Sequence, residues 1–381
     1  MEKTISTNQT GLLLAVFTIA LKLSALPAIC YSLSGASSYV TITIALILDF
    51  IGTIVILKTI SKLPKDMTFF DLISRTMSKF VAITIYIILF IYFLLKSIIT
   101  LQELHDYYIA TLFQELNPFF FLLSLFLIML FICQKPFRAL GRALEVCFWP
   151  LLIGITFTLI LPIGDMEIIN LLPICEDGVY PIFNGLVHTA ISFGDFLVLL
   201  IFMGRISWDA KKPYKKVVIY MLSAVSFILN FYVVFIGCFG DTAVGQTLAL
   251  GELPLHNANP GTIGRLEWIT IIIWTVVLII QAGILGKCSC DCLKQIFHTK
   301  KDIPPALVVS ISMVVLIMAS YMHLSTILKV GTSTTISIIC YIIHWGILAI
   351  LIIGYIVLKF KNKKTLFPNM KSNIKGVKNN V

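Results

Sequence analysis

The chain has 381 residues, of which 58% are hydrophobic and only 13% charged, and it carries a net charge of +10. A soluble protein carries about 25% charged residues, so this composition excludes a water-soluble enzyme or binding domain and indicates a polytopic membrane protein. The positive charge does not point to nucleic acid, because it is sorted by membrane side.

A helical span needs about 20 mostly apolar residues. Ten runs qualify, at approximately 11–33, 38–60, 80–104, 117–133, 143–163, 182–203, 215–239, 266–286, 304–325 and 334–358. The first run is too long and too interrupted for a signal peptide, and no small-residue cleavage site is evident, so the N-terminus is expected to be retained. Ten spans place both termini on one side. With that side cytoplasmic, the outer segments hold only Arg265 and Lys329 and the spans hold Lys22 and Lys96; every other Lys and Arg lies inside. The excess of cytoplasmic Lys and Arg therefore predicts cytoplasmic termini. Residues 359–381 form a basic tail, read either as a solvated end or as a contact with anionic membrane lipid.

Between the second and third spans, Thr68 followed by Asp71 predicts a helix start. Phe69, Phe70, Leu72, Ile73 and Met77 give that short helix an apolar face suited to the inner interface. The longer outer loops are roughly 164–181 and 240–265, the second made irregular by Gly, Pro and Asn. Nine cysteines are scattered through the apolar runs without a disulfide framework. A Cys175–Cys238 bridge is conceivable, buried thiols being the plainer reading. Cys288, Cys290 and Cys292 alternate beside His298, a spacing unlike the usual metal-binding pair, and no metal site is expected. There is likewise no phosphate-binding loop, G-x-S-x-G or H-E-x-x-H, hence no catalytic residue and no cofactor to assign.

Two runs are interrupted. Leu21 to Ala28 places Ser24 and Pro27 inside the first span, and His188 to Met203 places Ser192, Gly194 and Asp195 inside the sixth. Broken helices in corresponding halves of a membrane chain point to a binding site, because irregular backbone at that depth survives only against protein or a cavity. A division into five plus five spans follows, with one repeat at about 11–163 and an inverted one at about 182–358. Together they make one integral-membrane domain over 1–358. An ordinary proline kink with a packing glycine is the competing explanation.

Ionisable residues within the spans mark candidate functions. His188, Ser192 and Asp195 share one face if the helix is unbroken. Asp195 is read as the partner of a ligand amine, a cation or Lys96, or else as half of a structural ion pair. Lys96, which follows Tyr92, either reaches outward to the interface or takes the place of a coupling cation. Lys22 admits the same two readings, and Asp49 is a potential partner for it. Trp274 and Gln281 on the eighth span could reach the pocket, although lipid-facing Trp is the commoner case.

Several short motifs add to this. Ile5-Ser6-Thr7-Asn8-Gln9 opens the first span. Gly141-Arg142-Ala143-Leu144-Glu145 is followed by Phe148-Trp149-Pro150. Asn170-Leu171-Leu172-Pro173 precedes Gly178 and Pro181, and Ser192-Phe193-Gly194-Asp195 interrupts the sixth span. In order and spacing these resemble the B-subunit family of spore germinant receptors, relatives of the amino acid–polyamine–organocation transporters. The likeness covers most of the first 210 residues. It departs at Leu23 to Pro27, where relatives more often place glycine, and at Gly204-Arg205, where a proline often follows. The resemblance implies an all-α fold of ten transmembrane helices in a 5+5 inverted repeat with broken first and sixth helices, and a pocket between spans one, three, six and eight. The candidate ligand-binding residues are then Ser24, Ala25, Leu26, Pro27, Tyr92, Lys96, His188, Ser192, Phe193, Gly194, Asp195 and Trp274. It also implies a subunit that binds a small nutrient, an amino acid by preference, and triggers germination with partner A and C subunits in the spore inner membrane or cell membrane. An ion-coupled secondary amino-acid transporter is the alternative, and a purely structural assembly subunit a third.

Overall fold

A computed structural model describes residues 4–64, 66–111, 118–172, 178–208, 214–255, 267–299, 301–322 and 333–366. The chain enters at a two-residue strand, β1 (Ile5–Ser6), which pairs in parallel with β2 (Ile206–Ser207) two hundred residues later. Ser6 then caps α1 (Thr7–Ala20). Its hydroxyl accepts the Gln9 amide at 3.1 Å, while the Gln9 side chain accepts the Ser6 amide at 3.3 Å, which satisfies two donors that a helix start leaves free.

The first apolar run does not continue as one helix. Leu21 to Ala25 form turns, and α2 (Leu26–Ser34) starts afresh with Pro27 in its first turn, where the missing amide costs little. The carbonyl of Leu23 instead accepts the Leu250 amide at 3.1 Å. After a short 3-10 turn come α3 (Ser38–Ile60) and α4 (Phe69–Thr76). Thr68 and Asp71 form the expected capping box of α4, whose Phe69, Phe70, Leu72 and Ile73 are buried. Met77, expected on the same face, is instead the exposed C-cap.

The helices α5 (Lys79–Thr111), α6 (Pro118–Gln134) and α7 (Phe137–Ile160) follow. The second interrupted run comprises α8 (Tyr180–His188), two 3-10 turns and α9 (Val198–Phe202), with a bend of 55°. Beyond it lie α10 (Lys215–Phe239), the single turn α11 (Ala249–Glu252), α12 (Glu267–Phe297), α13 (Ile303–Met322) and α14 (Thr334–Leu366). The helix α12 runs past the predicted end at 286 and carries Cys288, Cys290 and Cys292 inside it, all buried. Helix α14 likewise extends beyond 358, so the basic tail begins as helix. Cys175, and with it the conceived bridge to Cys238, lies outside the described residues.

Among the described residues, six stretches are long and apolar enough to cross a membrane, and the bent pair α8–α9 makes a seventh. Three shorter apolar helices, Thr7–Ala20, Phe120–Gln134 and Ile303–Met318, accompany them. Large apolar side chains such as Phe80, Phe131, Ile153 and Ile342 are exposed on the outside, as a lipid environment permits. The chain therefore has an all-α polytopic membrane fold. Helix α12 packs along α5, α1 lies against α10, and α4 is held between α5 and α14. The second broken run packs against α2, α3, α12 and α14.

Candidate functional site

The break of the second interrupted run is built by glycine. Gly194 adopts φ +78°, a conformation that only glycine enters freely, and a Cβ there would collide with the His344 ring of α14. The turn leaves its amide free to donate to Asp49 Oδ1 of α3 at 2.8 Å. The preceding carbonyl, of Phe193, accepts from Lys96 Nζ at 2.7 Å and from the Tyr92 hydroxyl at 2.9 Å, both on α5. Asp49, Lys96 and Tyr92 thus satisfy the backbone groups that the break sets free.

Asp195 is the next residue in the chain after Gly194. Its Oδ1 accepts from Lys96 Nζ at 2.8 Å, and its Oδ2 is ion-paired to Lys22, which stands in the break of the first run. Lys22 also donates to the Thr18 carbonyl at 3.3 Å and approaches Asp49 Oδ2 at 3.9 Å. His344 Nε2 is 2.9 Å from the Tyr92 hydroxyl and closes the cluster from α14. The side chains of Lys22, Lys96, Asp49 and Asp195 are all buried. Two ammonium and two carboxylate groups balance, as burial at this depth demands, since an unpaired buried charge is costly.

The breaks of the two interrupted runs therefore meet, joined by Lys22 and Asp195. Asp195, Lys96, Tyr92, Phe193 and Gly194 come together. Lys96 does not reach outward to the interface; it is 1% exposed and directed inward. Ser24 is buried on another side of the first break, beside Glu103 of α5. Leu26 and Pro27 are buried and Ala25 half-buried at the start of α2. Helix α8 stops at His188, so the shared face of His188, Ser192 and Asp195 does not exist. His188 Nε2 instead lies 3.2 Å from Thr334 Oγ1, and its carbonyl accepts from Ser337 at 3.3 Å. Ser192, half-buried, ends a 3-10 turn whose other two residues are buried. Trp274 is buried inside the bundle rather than on lipid, and among the described residues no hydrogen bond or ring contact links it to the cluster. Gln281 donates to the Phe17 carbonyl at 3.3 Å, near the end of α1.

His344 was not among the expected residues. Its signal was available, an ionisable residue inside the last apolar run. The space beside the cluster, lined by Asp49, Phe193, Phe196, Tyr341, His344 and Trp345 among others, is about 10 Å³. That holds about one water at most. Asp195 carries a lysine on each oxygen and is 1% exposed, and the adjoining space has no room for an amino acid, so a ligand amine reaches this carboxylate only if the cluster opens.

A second charged group joins the segment after α9 to the end of α12 and the start of α13. Arg205, after α9, is ion-paired to Asp291 of α12, and Lys294 to Asp302. Lys287 lies 3.7 Å from Asp291 and 3.4 Å from Asp302, and donates to the Cys133 carbonyl at 3.0 Å. Burial alone would push the Asp302 carboxyl up, but the Lys294 hydrogen bond and the Lys287 charge hold it below its ordinary value. Among the described residues no group of three or more His, Cys, Asp or Glu side chains is arranged to hold a metal ion.

A family model described as "Spore germination protein", Spore_permease, matches residues 4–327. The chain is also similar to the spore germination protein YndE of Bacillus subtilis (strain 168), with 22% identity over 306 residues, covering 78% of this chain and 82% of that one. The family match includes both breaks together with Lys22, Asp49, Lys96 and Asp195, and ends before His344. With membrane-length helices through most of its length and a family match over most of its sequence, the chain is an integral membrane protein belonging to the spore germination protein family.

Proposed function

We propose that the chain is the nutrient-sensing membrane subunit of a spore germinant receptor. It binds a small molecule, an amino acid by preference, where the two breaks meet, and passes the change to partner A and C subunits in the spore inner membrane. In this reading α1–α2 and α8–α9 each count as one broken span. With α6 and α13 included the chain crosses ten times in two inverted halves, with cytoplasmic termini.

The observation that carries the proposal is the Lys22–Asp195 ion pair joining the two breaks deep inside the bundle. A ligand that shifts either break must move the other. A ligand biases such a bundle only by its differential affinity for two arrangements, and the cluster supplies two: lysines on Asp195, or lysines released. The secondary-transporter reading has less support, because the two lysines already neutralise both carboxylates and leave no uncompensated charge there for a coupling cation.

The test is a germination assay on spores lacking this gene, with single amino acids, sugars and nucleosides as triggers. Loss of one response with the others retained supports the receptor subunit. Retention of every response after paralogues are also deleted, with amino-acid uptake by proteoliposomes of the purified chain, overturns it in favour of transport.

A further inference from the structure

The last turn of α4, the start of α5 and the end of α14 meet at one corner of the molecule. Lys361 Nζ donates to the Arg75 carbonyl at 2.9 Å. Helix α4 packs along α14, where a Cβ at Gly354 would meet Leu72 and Thr76. Lys79 follows Arg75 by one turn of chain and opens α5. The corner lies at a membrane boundary, because one membrane-length stretch begins at Lys79 and another ends at Lys361. Arg75, Lys79 and Lys361 are all exposed. Beside them in the chain stand exposed apolar side chains, Met77 at 40%, Phe80 at 79% and Phe360 at 65%. Asp71, the acid of α4, serves the first turn of that helix, where its Oδ2 accepts from the Thr68 hydroxyl at 2.6 Å and the Thr68 amide at 3.2 Å. The sequence of α5 holds no acid before Glu103, and that of α14 holds none.

We propose that Arg75, Lys79 and Lys361 form a docking site for the phosphate headgroup of an anionic membrane lipid, with Met77, Phe80 and Phe360 set into the acyl boundary beside it. Guanidinium and ammonium groups are donors only and match phosphate oxygens, and an anionic leaflet attracts Lys and Arg held near its surface. Solvation alone accounts for the cations but leaves two exposed phenylalanines beside them in water. A lipid surface accounts for both, because apolar side chains enter the boundary while long cationic ones reach back to the headgroups. An acidic protein segment is the competing partner, and it gives Phe80 and Phe360 nothing apolar to enter. The site also has a position of consequence: α14, which it holds at one end, is the helix that brings His344 to the Gly194 break.

The test uses the full chain purified in dodecyl maltoside, with thermal unfolding followed as dioleoylphosphatidylglycerol, dioleoylphosphatidylcholine or inorganic phosphate is added. The expected result is that phosphatidylglycerol raises the wild-type melting temperature while phosphatidylcholine and phosphate do not. The triple variant Arg75→Gln/Lys79→Gln/Lys361→Gln loses most of that shift. A control with three exposed cations removed elsewhere, Lys135→Gln/Arg142→Gln/Lys215→Gln, keeps it. Equal shifts from the two lipids overturn the proposal and leave the corner to an acidic protein segment. A phosphate shift as large as that of phosphatidylglycerol overturns the lipid as its source, and an equal loss in the control variant overturns the corner as the place. Should the triple variant fail to fold, the wild type alone decides: phosphatidylglycerol, relative to phosphatidylcholine, must slow reductive methylation of Lys79 and Lys361 more than that of Lys135, and equal protection at all three refutes the site.

Discussion

Asp195→Asn removes the carboxylate shared by Lys22 and Lys96 and leaves two buried ammonium groups facing one carboxylate, Asp49. Breaking a buried ion pair from one side costs about 3–5 kcal/mol. The scale is consistent with Coulomb attraction of about 4 kcal/mol for unit charges 4 Å apart at an effective dielectric constant of about 20. Lys96→Met creates the opposite imbalance, two carboxylates against Lys22, and is expected to cost a similar amount. The double variant Lys96→Met/Asp195→Asn restores balance, because Lys22 keeps Asp49 at 3.9 Å. Its loss should therefore be smaller than either single loss, with a coupling energy at or above the upper end of the usual range of about 0.5–3 kcal/mol. The assay is the folded fraction remaining after heating or SDS titration of the purified chains, read by size-exclusion chromatography. An additive double variant, or an Asp195→Asn protein as stable as wild type, would refute the charge-balance argument.

Gly194→Ala should be destabilised more than Gly178→Ala. Both positions have φ near +80°, a conformation costing about 1–2 kcal/mol for a side chain, but a Cβ at Gly178 meets open space while one at Gly194 strikes His344. Melting temperatures of the two variants check this. Thr68→Ala should cost about 1 kcal/mol through loss of the α4 cap, measurable in the same way. The depressed Asp302 carboxyl sets a pH dependence of definite sign: its folded value lies below its unfolded one, so its stabilisation is present above the unfolded pKa and disappears as pH falls through the folded pKa. A wild-type chain should thus lose stability on acidification below about pH 4 more steeply than Asp302→Asn; parallel profiles would remove Asp302 from the network with Lys287 and Lys294.

Both breaks were legible in the sequence because Pro27 and Gly194 interrupt apolar runs, and membrane backbone has few ways to tolerate that. The capping box at Thr68 was legible because it is local. What the charges do was legible only in part. Lys22, Asp49, Lys96 and Asp195 stand out as intramembrane ionisable residues, but their pairing joins positions 173 and 99 residues apart, and no local pattern encodes that. The supposed face of His188, Ser192 and Asp195 failed because helical periodicity was carried through the break it had itself identified. Ser24 was singled out by its position in the first break, but the side of the break it faces follows from turns whose direction depends on packing against α5.

The ion pair across the breaks also constrains how the chain is made. Lys22 leaves the ribosome 173 residues before Asp195, a wait of roughly 10–35 s at synthesis rates of about 5–20 residues per second. Throughout that interval the first broken helix carries a lysine that lacks its final partner. Asp49, on the next helix α3 and 3.9 Å from Lys22 in the finished bundle, is synthesised 27 residues after that lysine and long before Asp195. Of the two carboxylates of the mature cluster, Asp49 is thus the first that the chain makes available to Lys22.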